Sequence, residues 1–452
     1  MHVAFLSEHA SPVALLGGAD AGGQNVYVDE VSRHLARIGH TVDVFTRREN
    51  SATPEVIAWA PGVRVINLVA GPAMVLPKDD LWPYMPDFHD ALLRFMTRDG
   101  ARYDLVHGNF WMSGWVASRL KRELGVPVVQ IFHATGKTKR RHQGAADPSA
   151  PERVDVEMGI VREVDRLIAQ CPAEEIELVG DYAADPHKVV VIPSAVDTET
   201  FHPVARDEAR RRIGLDADGP VVVYVGRMLP RKDVRNVVRS LALLTREDTA
   251  LGAPVGAGGV TLLLVGGETT EPDPVATPET GELRRLAAEL GIADRVYFVG
   301  KRQPDTLKDY YCAGDVVVTT PWYEPFGLTP LEGMACGRPI VGSAVGGLTY
   351  TIADGVTGYL VPPRDPAALA ERLRHLLARP DLCAHMGQAA RARVECHFTW
   401  PAVARRTAAL YHSVAGAKTP VAGGARGGNV DDEPRRSGPA PRSPDDNPSD
   451  NE

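Results

Sequence analysis

Short β-branched runs alternate with amphipathic stretches along most of the chain, and this alternation restricts the fold more than any other feature. Runs at His2–Leu6, Thr41–Thr46, Arg64–Val69, Leu105–His107, Val126–Phe132, Leu167–Ala169 and Val189–Ile192 read as strands. Helical stretches such as Val26–Ile38, Asp87–Arg98 and Gly114–Leu124 separate them. Strands that are apolar along their whole length need cover on both faces, which predicts a parallel sheet between helical layers. Right-handed crossovers then give a doubly wound α/β, Rossmann-like domain.

The pattern restarts after Ile192. Strands are predicted at Val221–Val225, Val260–Val265, Val296–Val299, Val316–Thr319 and Pro339–Gly342. Helices are predicted at Asp233–Arg246, Glu279–Leu290, Pro304–Cys312, Gly327–Cys336 and Pro366–Leu377. Between the two series, Pro193–Pro203 has a proline at each end and little periodicity, as a hinge would. Two such domains leave a cleft between the carboxyl ends of their sheets, where ligands of this architecture bind.

Composition narrows the function classes. Apolar residues at 44% and charged residues at 24% fit a globular chain, and a net charge of −8 gives no general attraction to nucleic acid or an anionic membrane. The cysteines at 171, 312, 336, 383 and 396 are odd in number and lack a C-x-x-C, so a reduced thiol set without structural zinc is expected. The N-terminus lacks a basic region and a long apolar run, and no stretch approaches a membrane span, so a cytoplasmic location is expected. Residues 416–452 hold six prolines, no aromatic residue and only two valines, too little apolar surface to offset ordering, and are expected to be disordered. Gly267–Thr280 is expected to be a mobile surface loop.

Four motifs could carry chemistry. Gly17–Val28 follows the first strand and opens a helix, so Gly22 and Gly23 can bring backbone N–H groups and the helix dipole to a phosphate, with Gln24 and Asn25 beside them. Gly226–Asp233 (GRMLPRKD) follows the first strand of the second series and aims Arg227, Arg231 and Lys232 at the cleft, where positive charge can stabilise a leaving diphosphate. Such cations oppose the dipole of the helix that follows, so local preference does not explain them. In Tyr323–Glu332, Glu324 lies just past a strand and Glu332 inside the next helix. The backbone of Phe326, Gly327 and Leu328 can donate to phosphate between them, while the carboxylates accept from sugar hydroxyls or a ribose diol. His133 ends the strand Val126–Phe132 and precedes a basic tract of Lys137, Lys139, Arg140 and Arg141, with Arg153 further on; the tract could bind an anionic acceptor. Each motif also has a plain structural reading, as a β–α loop, a solvated basic turn, surface glutamates or a core histidine. No D-x-D pair, Walker sequence, G-x-S-x-G or H-E-x-x-H occurs.

Together these motifs resemble the retaining glycosyltransferases of the GT-B fold, family 4. The E-x7-E arrangement of Glu324 and Glu332 within EPFGLTPLEGMACGRPIVGSAVGGL and the GRMLPRKD segment carry the resemblance, which spans about residues 1–412. It implies two Rossmann-like domains facing across a cleft: an acceptor-binding domain over 1–196 and a nucleotide-sugar-binding domain over 197–395. A helix over 396–415 would return to the first domain. It implies metal-independent transfer of a hexose, with retention, from a nucleotide diphosphate sugar (UDP expected) that is a substrate and not a cofactor. Arg227 and Lys232 would bind the diphosphate, Glu324 and His133 the donor sugar, Glu332 the ribose, and backbone near Gly300–Arg302 the base, with Arg302 on the donor side.

Two groups within the family compete for the acceptor. GGADAGGQNVYVDE and Leu76–Tyr84 are similar to sucrose-phosphate synthases. The segment APGVRVINLVAGP and the Phe110–Trp111 pair are similar to inositol-phosphate N-acetylglucosaminyltransferases. The latter bind acceptor phosphate through Lys, Tyr, Thr and Arg, and the matching positions here are Lys78, Phe110, Ala134 and Arg153, so two hydroxyl donors are missing. Lys78, Lys139 and Arg153 still form a cationic set, with Gln24, Asn25 and Phe110 as further acceptor candidates. Both a phosphorylated acceptor and a free polyol or aminocyclitol stay open. A nucleotide-sugar epimerase and a non-catalytic nucleotide-sugar-binding protein are the rival readings. No metal site, nucleic-acid partner or membrane contact is expected, and self-association is left open.

Overall fold

The structure is a computed structural model that describes residues 1–13, 22–251 and 259–416, with backbone alone for 246–251. The expectation for the tail beyond Gly416, and the glycines of the first motif before Gly22, lie outside the described residues.

Residues 1–416 form one compact unit built on two sheets. The first holds β1 (His2–Leu6), β2 (Thr41–Arg47), β3 (Val56–Ala60), β4 (Val63–Leu68), β5 (Leu105–Asn109), β6 (Val128–Ile131), β7 (Arg166–Ala169) and β8 (Val189–Val191), in the order β3-β4-β2-β1-β5-β6-β7-β8. All its pairings are parallel except β3 with β4. The second holds β9 (Val221–Val225), β10 (Thr261–Val265), β11 (Val296–Gly300), β12 (Val316–Thr319), β13 (Ile340–Ser343) and β14 (Gly358–Val361), all parallel, in the order β11-β10-β9-β12-β13-β14. Counted from β9, that order is 3-2-1-4-5-6, the doubly wound arrangement.

Two strands escaped the sequence reading. The hairpin strand β3 lies at a sheet edge and is half exposed, so it carries no continuous apolar run. The strand β14 starts on Gly358 and has four residues. The basic tract lies on a helix, Gly136–Gln143, whose charged residues hide its period. The segment Gly267–Thr280 is partly ordered, since a helix starts at Pro278.

Each sheet is covered on both faces. On the first, one face is closed by the helix Trp400–Ala415, whose Trp400, Val403, Ala404 and Tyr411 join Val3, Phe5, Val31 and Val44 in one core. Burying each large apolar side chain there contributes roughly 1.5–3 kcal/mol, which fastens the returning helix to the N-terminal lobe. Tyr411 also shares a hydrogen bond with His107 on β5. The outgoing and returning chain segments run side by side, where Val196 N–H donates to the Phe398 carbonyl at 3.1 Å.

Candidate active site

A doubly wound sheet opens a crevice where its first strand has neighbours whose connections run opposite ways. In the N-terminal lobe that point lies between β1 and β5, and in the C-terminal lobe between β9 and β12. Loops from both lobes meet around a cleft of about 470 Å³. At its floor Gly266 has φ +140° and crosses the Gly226 carbonyl so closely that a Cβ would lie 1.9 Å from the oxygen. Glycine is therefore required there for the two loops to pass.

The cations and carboxylates converge as their strand-end positions allow. Arg227, Arg231 and Lys232 follow β9, and Glu324 follows β12; all four line the cleft. The Lys232 ammonium donates to Glu324 Oε2, and both side chains are largely buried. Burial lowers the Lys232 pKa despite the neighbouring carboxylate. Burial pushes the Glu324 carboxyl up, but Lys232 and Arg231 outweigh it and hold the group below its ordinary range. Glu332, on the helix Leu328–Ala335, lines the cleft too and accepts from the Tyr311 hydroxyl at 2.6 Å. Burial raises its pKa to about 7, against the lowering effect of that bond. Arg302 reaches the cleft from the loop after β11, its Nε donating to the Tyr310 hydroxyl at 2.9 Å.

Opposite stand Gly22, Gly23 and Gln24 at the start of the helix Gly23–Arg37, and His133 after β6. The Phe326, Gly327 and Leu328 backbone approaches from the C-terminal lobe. His133 has φ +59°, an uncommon conformation for this residue. Its Nε2 faces Asn109 Oδ1 at 3.1 Å, and the ring meets Tyr27 edge-on at 5.0 Å. Burial, with smaller effects from His107 and His9, lowers its pKa to about 3, so the imidazole is neutral at pH 7. Phe110 (φ +77°) and Asp233 (φ +49°) are further non-glycine residues with left-handed backbone at β–α junctions. Such backbone costs of order 1–3 kcal/mol per residue and persists only where surrounding packing imposes it.

The remaining acceptor candidates lie outside this cleft. Asn25 is buried; its Oδ1 accepts from Gly22 N–H and its Nδ2 donates to the Ser11 carbonyl, so it ties Gly22 to Ser11. Phe110, Ala134 and Arg153 do come together. The Arg153 guanidinium sits 4.9 Å from the Phe110 ring centroid and donates to the Ala134 carbonyl at 2.6 Å. It is buried, however, and its Nε is paired with Glu157 at 2.8 Å. Lys139 pairs with Asp147 at 3.0 Å and with Asp79, beside Lys78, at 3.5 Å. The sequence reading gave no site role to Tyr311, because a buried tyrosine in a helix is indistinguishable from core until its hydroxyl partner is seen. Among the described residues no three or more His, Cys, Asp or Glu side chains converge as metal ligands. No helix among them is long and apolar enough to cross a membrane.

The two lobes match two family models in succession. Residues 21–200 match Glycosyltransferase Family 4 and residues 205–393 match Glycosyl transferases group 1. D-inositol 3-phosphate glycosyltransferase of Salinispora arenicola is 39% identical over 406 residues, covering 88% of each chain. The chain belongs to the family 4 glycosyltransferases. Another relative in this family, D-inositol 3-phosphate glycosyltransferase of Actinosynnema mirum, is 41% identical over 384 residues, covering 84% of this chain and 89% of its own. Among solved structures, sucrose-phosphate synthase from Thermosynechococcus elongatus superposes with a TM-score of 0.82 at 35% identity, over 92% of this chain and 100% of that one. Anabaena HepE, solved with UDP and glucose, shares the fold at a TM-score of 0.68 and 20% identity, over 91% of this chain and 100% of that one. The glycosyltransferase is thus of the GT-B type, with two Rossmann-like domains and a C-terminal helix returning to the first.

Proposed function

We propose that this glycosyltransferase moves a hexose from a UDP-sugar to a small hydroxylated acceptor, with retention of configuration and without a metal ion. The observation that carries the reading is the gathering of Arg227, Lys232, Glu324 and Glu332 in one cleft facing Gly22 and Gly23. In this reading the two cations neutralise the diphosphate as it leaves, and helix N-termini on either side add N–H donors. Glu324 accepts from hydroxyls of the donor sugar, beside neutral His133, and Glu332 accepts from the ribose diol. The bond from the anomeric carbon to the diphosphate oxygen breaks, and the acceptor oxygen bonds to that carbon on the same face. The acceptor's proton passes to the departing phosphate oxygen. No step needs a base of the protein, which fits a cleft whose histidine is held neutral with a pKa near 3.

The relatives named for D-inositol 3-phosphate and for sucrose phosphate support a sugar-sized cyclitol or sugar acceptor. Similarity of HepE, solved with UDP-glucose, agrees with a UDP donor. The test is a thermal-shift screen of nucleotide sugars followed by mass spectrometry of products formed with free and phosphorylated polyols. A bound donor raises the melting temperature by mass action. Isomerised donor in the absence of any acceptor would replace this reading with that of an epimerase.

A further inference from the structure

Asn109 is fully buried at the end of β5 and stands at the N-cap of the helix Phe110–Leu124. An asparagine there ordinarily accepts from N–H groups of the first turn, yet this side chain makes no capping bond. Local helix chemistry therefore does not account for it. The sheet register supplies the neighbours it has instead. Parallel pairing sets Leu6 opposite Gly108, and Asn109 opposite Ile131, two residues before His133.

Carbonyl groups orient the Asn109 amide. Its Nδ2 donates to the Leu6 carbonyl at 3.2 Å and to the His107 carbonyl at 3.5 Å. Both partners only accept, so that end of the amide must be the nitrogen and the other end the oxygen. The oxygen, Oδ1, faces His133 Nε2 at 3.1 Å. An amide oxygen only accepts, so Nε2 must carry the hydrogen of that bond.

His133 is neutral, its pKa lowered to about 3 chiefly by burial, and a neutral imidazole has a single N–H. With that hydrogen on Nε2, Nδ1 is left as a lone pair. Among the described residues none hydrogen-bonds Nδ1, while His133 itself lines the donor cleft. The ring is held in place by the left-handed backbone at φ +59° and by Tyr27 packed edge-on against it. Strained backbone of this kind is kept where the surrounding structure imposes it, most often at ligand sites.

We infer that Asn109 is a positioning residue that locks His133 in its Nε2–H tautomer, so that Nδ1 accepts a hydrogen bond from a hydroxyl of the donor sugar. The inference rests on the transfer reading above and deepens it. In the opposite tautomer two acceptors, Nε2 and the Asn109 oxygen, would face each other, and Nδ1–H would seek an acceptor on the sugar. The lock thus selects a sugar that presents a hydroxyl at this point over one that presents fluorine, hydrogen or a carboxylate there. It also keeps His133 out of proton transfer to the departing phosphate oxygen, since its one hydrogen is committed to Asn109 and its other nitrogen has none.

Two-bond 1H–15N correlation spectra of the full chain, labelled in its 14 histidines, read the tautomer directly. The His133 signals are those missing from His133→Ala. Wild type without donor should show the Nε2–H form. Asn109→Leu, similar in size but without an acceptor, should lose the dominance of that form, and Asn109→Asp, which keeps an acceptor, should retain it. Calorimetric titration then compares UDP-glucose with analogues in which the 3-, 4- or 6-hydroxyl is replaced by fluorine, which cannot donate. One analogue should bind wild type at least about fivefold more weakly than UDP-glucose. That penalty should fall to within about twofold in His133→Ala, shrink at least about twofold in Asn109→Leu and persist in Asn109→Asp. A merely structural asparagine would change affinity for all four ligands alike. An Nδ1–H His133 in wild type would overturn the inference, as would an unchanged tautomer in Asn109→Leu or the lack of any analogue whose penalty depends on His133. Should Asn109→Leu not fold, the wild-type spectrum and the His133→Ala titrations still decide. Failure of wild type to bind UDP-glucose would remove the donor reading beneath, while the donor-free spectrum would still decide whether Asn109 sets the tautomer.

Discussion

Lys232 and Glu324, ninety-two residues apart, form one ion pair in the donor cleft, the cation from the loop after β9 and the carboxylate from the loop after β12. The parallel pairing of β9 with β12 brings these two strand ends together. Each group keeps the other ionised in a buried place. In the proposed reading, a diphosphate would give the ammonium a second anion and release the carboxylate toward sugar hydroxyls.

Lys232→Ala and Glu324→Ala should therefore each lower transfer by at least about tenfold, read as kcat/KM with saturating acceptor. Removing one partner also leaves the other buried and unpaired, so both variants should lose stability, by up to about 3–5 kcal/mol if water does not enter. Glu324→Gln keeps the shape and should lose activity with less loss of stability. Denaturant melts beside the kinetics separate the two effects.

If Glu332 holds the donor as proposed, donor binding should depend on pH. Its pKa is raised to about 7 by burial, and the Tyr311 bond lowers it. Tyr311→Phe should thus raise the pKa further. If the ionised carboxylate accepts from the ribose diol, the wild-type KM for the UDP-sugar rises as pH falls through about 7. In Tyr311→Phe the same rise should begin at higher pH, with kcat changed little. A donor KM that stays flat between pH 6 and 8 in both proteins would refute the assignment.

The same shift acts on stability with the opposite sense. A carboxyl whose folded pKa lies above its unfolded value binds its proton more tightly in the native state. Its contribution is present below the unfolded pKa near 4.5 and is lost as pH rises through about 7. Glu332→Gln removes that loss, so relative to wild type it should melt higher at pH 8 than at pH 5 while binding the donor more weakly. Paired thermal melts at the two pH values check this.

The legible parts of the fold were apolar strands covered on both faces and helices with a clear apolar stripe. The strands β1, β9 and β12 and the helix Pro366–Leu377 have the bounds their composition predicts. Edge strand β3 and the helix Gly136–Gln143 were not legible, because one is half solvated and the other has no apolar stripe. In the site, strand-end position and charge pointed to Arg227, Lys232 and Glu324, which share the cleft. Arg153 and Glu157 stand four residues apart on one helix, so their pairing follows from local spacing, whereas the turn of Lys139 to Asp147 depends on the path of the chain after the helix Gly136–Gln143.

The crossing of Gly226 and Gly266 gives a last prediction, which tests how the cleft is built and not what it binds. A methyl group at Gly266 would meet the Gly226 carbonyl oxygen at 1.9 Å, and the backbone there has φ +140°. Neither backbone can yield without moving the start of the GRMLPRKD loop, because Gly226 N–H is itself bonded to the Val265 carbonyl at 3.0 Å. Gly266→Ala should therefore displace Arg227 and Lys232 together. The expected result is loss of the thermal shift given by UDP-sugar, with a stability cost of order 1–3 kcal/mol from strain. A control at Gly100, which also has positive φ but open space around its Cβ position, carries the conformational cost without the clash. Gly100→Ala should lose stability yet keep donor binding, and equal retention of binding in both variants would show that the crossing does not set the donor loop.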